Sequence, residues 1–306
     1  MTMRLCLAAG LLLISACASR GPIVPADARL ELLWGEGEFT EGPALAPDGS
    51  ICFSDIGNRI MRFDPKTMQV TVHRDPSGRS NGLKFDAQGR LVATEGADTG
   101  GNRRISIAEA DGKVRTLADR WEGRRFNSPN DLAIDPRGNI FFTDPRYGGN
   151  EPREIDFEGV FRITPEGKVT LATKDVQKPN GIIVTPDGGM AYVADTNSDP
   201  KGNHQLVAFT IASDGSFTNK RLLYDFGPDR RPIDGMTLGR DGNIYAMAGT
   251  REFAGLWVFT PKGERLAFVP TPGDPTNCCF GADGRTLYVT AQAGKKWGLY
   301  RIRLGL

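Results

Sequence analysis

From Ala28 onward the chain is built of short apolar runs separated by Gly, Pro, Asn and Asp, with no long apolar stripe at helical spacing. The runs fall into a series. Ser50–Asp55 is matched by Arg90–Glu95, Asn139–Asp144, Met190–Asp195, Asn243–Ala248 and Thr286–Ala291. Each is followed by a second run: Ile60–Phe63, Ile105–Ile107, Val160–Ile163, Leu206–Phe209, Leu256–Phe259 and Leu299–Ile302. The copies recur every 40 to 54 residues. Such a period with several strands per copy predicts an all-β fold, a six-bladed β-propeller. A third run follows in the first five copies: Gln69–His73, Val114–Ala118, Val169–Thr173, Arg221–Asp225 and Arg265–Val269. The sixth copy shows none before Leu306, while Leu30–Trp34 stands unmatched ahead of the first copy. The economical arrangement is an N-terminal strand that completes the last blade and closes the ring, leaving no open edge between blades.

A second regularity runs through the copies. Eight residues before the glycine of each first turn stand Glu41, Asn81, Asn130, Asn180, Asp234 and Thr276. Each begins the innermost strand of a blade, so all six should converge on the axis at one depth. Asn before Gly is also an ordinary turn dipeptide, so Asn81-Gly82 or Asn180-Gly181 alone would carry little weight. Glu41 and Asp234 are different, because charged residues at an inward register need a reason. Converging carboxylates repel and raise each other's pKa. A hard cation relieves this, and Ca²⁺ accepts six to eight oxygen ligands in flexible geometry. The absence of Cys and His from the register argues against zinc.

Charge and composition narrow the field. The 38 basic and 37 acidic residues are nearly balanced and no block of five like charges appears, which argues against nucleic acid or an anionic surface as the main partner. Only two histidines are present, His73 and His204, both outside the inner register; each reads as a surface or packing residue rather than a base. Any chemistry therefore rests on carboxylates and amides. Asp55, Glu95, Asp144 and Asp195 end second strands and read mainly as turn caps, with Asp144, ahead of Pro145, a candidate to border the pocket.

The N-terminus reads as an export signal. Residues 1–16 combine Arg4, the apolar run Leu5–Ile14 and small residues, a stretch short for a membrane span. Ile14-Ser15-Ala16-Cys17 resembles the bacterial lipobox, with Cys17 as the lipidated residue; ordinary cleavage near Ala16-Cys17-Ala18 is the alternative. Residues 17–27 read as a tether and 28–306 as the propeller. The expected location is the periplasmic side of the outer membrane as a lipoprotein, or the periplasm in soluble form. Membrane contact is expected only through the lipid anchor. Cys52, Cys278 and Cys279 form a poor disulfide framework and read as buried thiols.

Several motifs carry a family resemblance. Glu41-Gly42-Pro43, Asn130-Asp131 ahead of Ile134-Asp135-Pro136, Pro179-Asn180-Gly181 and Asp234-Gly235-Met236 resemble successive motifs of the regucalcin/gluconolactonase family. Phe142–Gly148 and Pro275–Gly281 are similar to its bacterial members. The resemblance covers residues 30–306. It implies a divalent-metal-dependent lactonase, with Glu41, Asn180 and Asp234 as metal ligands and Asn130 near both metal and substrate. Ca²⁺ is the expected ion, with Zn²⁺, Mn²⁺ and Mg²⁺ as alternatives. Asp234 would act as general base. The chain departs from the regucalcin pattern at Ser128, where an arginine is usual, and at Gly148, where an acid is usual. Arg125, Asn127, Arg146 and Tyr147 are candidates to replace those substrate contacts. The expected substrate is a sugar lactone, converted to its aldonic acid. Organophosphate hydrolysis on the same calcium site and a non-catalytic envelope scaffold are the alternatives.

Overall fold

The computed structural model describes residues 22–306 apart from 98, 99, 110, 200 and 229. The expected leader, residues 1–16, and Cys17 lie outside the described residues. Six four-stranded antiparallel sheets are arranged as blades around one axis. Blade 1 runs from its inner strand Thr40–Leu45 through Ile51–Asp55 and Arg59–Asp64 to the outer strand Gln69–Arg74. Blades 2 to 5 repeat this order, with inner strands Ser80–Phe85, Leu132–Ile134, Pro179–Val184 and Ile233–Leu238. Blade 6 takes three strands from the C-terminus and its outer strand, Glu31–Gly37, from the N-terminus. The predicted closure is therefore what forms.

The hydrophobic pattern follows from position in the blade. Second strands such as Ile51–Asp55 and Ile244–Ala248 are buried at every residue, because both faces pack on neighbouring blades. Outer strands are largely exposed, as in Gln69–Arg74. Between blades the apolar faces interlock: Phe141 of blade 3 packs with Val193, Phe209 and Phe217 of blade 4. That contact explains why the outer strand of blade 4 extends over Phe217–Asp225, beyond the predicted Arg221–Asp225. A hairpin pairing Arg120–Trp121 with Arg124–Arg125 has no counterpart in the repeat pattern. Cys52, Cys278 and Cys279 are buried free thiols.

Inner strands start at one end of the channel, here the cavity face. They turn back at the other end, the turn face. In blades 1, 2, 4, 5 and 6 the pairing of inner with second strand is interrupted by a bulge at its start, between Glu41 and Ala44 in blade 1 and between Ile233 and Met236 in blade 5. Bulges bend a strand and re-aim its side chains. Gly42 makes this possible at φ +52°, where a Cβ would sit 2.0 Å from the Asn81 carbonyl oxygen of the next blade.

Buried acids set the approach to these bulges. Asp55 accepts the backbone N–H groups of Glu38 and Phe39 at 2.9 and 3.1 Å. Asp144 accepts those of Asn127 and Ser128, both at 2.7 Å. Asp195 accepts those of Gln177 and Lys178 at 3.0 and 2.9 Å. In each case the gripped residues lie three and two positions before Glu41, Asn130 or Asn180. Three of the four expected turn caps are thus clamps on the channel-lining register, and Asp144 does not line the cavity. Hydroxyls then stitch blade to blade: Ser54 Oγ donates to Asn81 O at 2.7 Å and Thr94 Oγ1 to Asn130 O at 2.6 Å.

Residues 22–27, expected to belong to a spacer, lie against the propeller. Ile23, Val24, Ala28 and Leu30 pack on the cluster containing Ile302 and Leu304, and Gly305 N donates to Ile23 O at 2.9 Å.

Asp195 also accepts Asn203 Nδ2 at 2.9 Å, so Asp195→Ala leaves three donors without their acceptor. It should cost about 2–4 kcal/mol of stability in urea unfolding, whereas Asp199→Ala in the exposed loop nearby should change little.

Candidate functional site

The channel opens on the cavity face into a hollow of about 640 Å³. Five of the six register residues line it: Glu41, Asn81, Asn130, Asn180 and Asp234. Thr276 does not. Its hydroxyl is turned into backbone, donating to Thr40 O at 2.8 Å across the blade 6–blade 1 seam. A larger groove of about 890 Å³ lies between blades 2 and 3 on the turn face. Its acids are committed to turns, with Asp86 paired to Arg90 and Asp135 bonded to Asn139, so it offers no converging reactive groups.

Glu41 and Asp234 are both buried and face each other electrostatically across the axis. Burial pushes the Glu41 carboxyl well above the usual range, the Asp234 charge adds to this, and the Gly42 N–H at 2.7 Å opposes it. Burial also raises Asp234, against Arg231 and the Asn180 amide. Asn180 Nδ2 donates to Asp234 Oδ1 at 2.8 Å, and Arg231 Nη2 forms an ion pair with Asp234 Oδ2. Arg231 also donates to Pro275 O at 2.7 Å, which ties the guanidinium to the next blade. The inner register holds no basic residue, so the pattern that found Asp234 missed Arg231. Its visible signal was a basic residue three positions before the acid.

Two further residues escaped the sequence reading. Asp131 and Asn277 occupy, in blades 3 and 6, the position filled by glycine in the other four. Both are buried. Burial raises the Asp131 carboxyl, with Lys84, two backbone N–H groups and the Asn277 amide opposing, and the same amide lowers Glu41. They form a polar layer directly beneath the register.

The walls are mixed. Phe39, Ile56, Pro228 and Pro232 give apolar surface, while Tyr147, Thr196, Ser198, His204 and Arg230 give polar groups. Tyr147 exposes 46% of its surface through the ring, yet its hydroxyl is enclosed: Asn180 Nδ2 donates to it at 3.1 Å and it donates to Thr196 O at 3.3 Å. Burial, then the Asp234 charge, raises the Tyr147 hydroxyl. His204 has its ring nitrogens 2.7 Å from Gly227 O and 2.7 Å from Asn197 O, bridging two wall loops, a packing role as expected. Arg125, Asn127 and Arg146 do not line the hollow. Asn127 is fully buried with Nδ2 donating to Phe157 O at 2.7 Å, and Arg125 Nη2 donates to Asn102 O at 2.5 Å. Arg146 donates to Glu151 O at 3.1 Å. Asn127 and Arg146 shape the loop that presents Tyr147.

The donor set fits a hard cation. Among the described residues no group of three or more His, Cys, Asp or Glu is placed to hold a metal, so a ligand set must combine the two carboxylates with amide oxygens. Asn81 Oδ1 is buried without a hydrogen-bond partner in this same hollow, an acceptor awaiting a donor or cation. Oxygen-only coordination suits Ca²⁺ over zinc.

Comparison with known proteins identifies the family. The profile of the SMP-30/Gluconolactonase/LRE-like region matches residues 39–293. A gluconolactonase of Zymomonas mobilis is 31% identical over 297 residues, covering 88% of this chain and 80% of the relative. The solved structure of a gluconolactonase from Xanthomonas campestris superposes with a TM-score of 0.81 at 32% identity, covering 92% of this chain and 91% of that one. Diisopropyl-fluorophosphatase of Loligo vulgaris is 25% identical, with 80% of each chain covered. With the profile spanning most of the propeller, this chain belongs to the SMP-30/gluconolactonase/LRE-like family.

Proposed function

We propose that this protein is a metal-dependent lactonase that opens a sugar lactone to its aldonic acid. The observation that carries the reading is the enclosed pair Glu41 and Asp234, flanked by Asn81, Asn130 and Asn180, in a chain 31% identical to a gluconolactonase. Glu41, Asn180, Asp234 and Asn130 would hold the cation, with Ca²⁺ expected from the donor set. A bound divalent cation supplies Lewis acidity to the ester carbonyl and charge stabilisation in the transition state.

The remaining work falls to side chains. Asp234 has one oxygen held by Asn180 and the other by Arg231, so its carboxylate is fixed in orientation, and the two partners offset part of the rise that burial imposes. It takes a proton from the attacking water, whose oxygen bonds to the carbonyl carbon. The bond from that carbon to the ring oxygen then breaks, and Asp234 returns the proton to the departing oxygen. Ser198 offers a hydroxyl and Tyr147 an exposed ring face for the sugar, and Asn130 would sit beside the reacting ester. Converging carboxylates of raised pKa are costly to a scaffold with no chemistry to perform.

The apolar wall of Phe39, Ile56, Pro228 and Pro232 supports a second reading, phosphotriester hydrolysis, since the squid fluorophosphatase is 25% identical. Parallel assays of glucono-1,5-lactone and a fluorophosphate separate the two.

Asp234→Asn should lower kcat on the preferred lactone by about 10²–10⁴-fold with the circular dichroism spectrum unchanged; near-full turnover in this variant overturns its role as base. Removal of metal should abolish activity, and re-addition of Ca²⁺ should restore it.

The raised carboxyls also set a pH dependence. Glu41 and Asp234 hold their protons more tightly folded than unfolded, so the metal-free protein loses stability as pH rises from the ordinary carboxylate range towards the raised values. Cation binding needs both groups ionised. The rise in Tm on adding Ca²⁺ to chelator-treated protein should therefore be larger at pH 8 than at pH 5, read by differential scanning calorimetry.

A further inference from the structure

The N-terminal segment joins the propeller on the face opposite the hollow. The outer strand of blade 6 pairs Glu31 with Arg301 near the turn face and Gly37 with Trp297 at the cavity face. Upstream of Glu31, the chain runs across the turn face, where Ile23 shares a groove of about 750 Å³ with Arg240, Asp241, Gly284, Arg285 and Leu306. Pro22 to Leu30 is docked there by the Gly305–Ile23 hydrogen bond and by Ile23, Val24, Ala28 and Leu30 against the blade 6 core.

Four residues separate Cys17 from Pro22. Five Cα–Cα steps reach no more than about 18 Å. Anything attached at Cys17 is therefore held close to the turn face and cannot reach round to the hollow. The rim of that face is mixed in charge: Arg29, Arg240, Arg285 and Arg303 are exposed beside Asp27 and Asp283. Of these, Arg303 pairs with Asp283 at 3.6 Å, while Arg29, Arg240 and Arg285 make no ion pair among the described residues.

We propose that the turn face rests against a lipid surface, held by a diacylglyceryl group on Cys17, so that the hollow opens into the aqueous phase away from the membrane. The Cys17 thiol would form a thioether bond to a diacylglycerol unit drawn from a phosphoglyceride. The bond from the glycerol carbon to the phosphate oxygen breaks, and the phosphorylated headgroup leaves with the thiol proton. Two acyl chains give stable anchoring where one would be marginal. The inner strands of blades 1, 2, 4, 5 and 6, six residues each, then set the mouth of the hollow about 20 Å farther from the bilayer. Water-soluble lactones would reach it unhindered.

The test uses the full exported chain, purified with its lipid and placed in vesicles of phosphatidylethanolamine and phosphatidylglycerol bearing nitroxide headgroups. Fluorophores are attached through Arg285→Cys on the turn face or Lys201→Cys on the cavity face, since the native thiols are buried. Quenching should be several-fold stronger at 285 than at 201; equal or reversed quenching overturns the orientation. The intact mass should carry a diacylglyceryl group, and Cys17→Ser should release the chain from the vesicles. An unmodified mass, or retention of the Cys17→Ser chain, overturns the anchor. Quenching needs no turnover, so its outcome is independent of the lactonase reading.

Discussion

The buried carboxylate at the end of the second strand is the interaction on which the site depends. An ionised side chain enclosed by protein is tolerated only when its lone pairs are filled. Asp55, Asp144 and Asp195 meet this by taking two consecutive N–H groups from the segment entering their own blade. Those N–H groups have no strand partner of their own at that point, so the acid and the loop satisfy each other. The result fixes the backbone just before the bulge that turns Glu41, Asn130 or Asn180 towards the axis. In Asp144 burial still wins, pushing its carboxyl up to about 7 despite the two N–H groups and Arg103.

The blades that lack this clamp are equally informative. Blade 2 carries Glu95 there, paired with Arg74 and Arg104 rather than with backbone. Blade 5 has Ala248 in that place and blade 6 has Ala291. With no acid to grip its entry segment, blade 5 ties it to the next blade through Arg231 Nη1, which donates to Pro275 O at 2.7 Å. The same Arg231 then reaches Asp234. The exception to the repeat thus supplies the basic partner for a carboxylate that otherwise faces Glu41 through protein. Arg231 and the Asn180 amide offset part of the burial that raises Asp234, while Glu41 has only the Gly42 N–H and the Asn277 amide to oppose its own rise.

The division of faces follows from closing the ring with the N-terminal strand. That strand must run antiparallel to Lys296–Arg303, so it starts at the turn face and delivers the chain to the cavity face at Thr40. Long wall loops and the reactive register therefore lie at one end, and the incoming segment at the other. Site and attachment are separated by the thickness of the blades.

Much of this was readable in the sequence because propeller repeats are local: strand, turn and strand lie within one copy, and burial on both faces writes continuous apolar runs into the second strands. The six-fold count, the closing strand and the convergence of Glu41, Asn81, Asn130, Asn180 and Asp234 all follow from that periodicity. The register failed at Thr276, since a hydroxyl can be satisfied by neighbouring backbone and nothing in spacing says that it will be. Arg231, Asp131 and Asn277 were out of reach for a related reason. Arg231 belongs to an irregular loop, and Asp131 and Asn277 stand where other blades carry glycine, so their meaning appears only when residues far apart in sequence meet around the axis. Likewise Asn127 and Arg146 look like contacts for a ligand in the motif, but loop packing turns them into supports for Tyr147. The sequence by itself determined the blades and the side chains aimed at the channel, because both are periodic; only the tertiary structure decided which of those side chains share a charge, a hydrogen bond or a wall, because those relations cross from blade to blade.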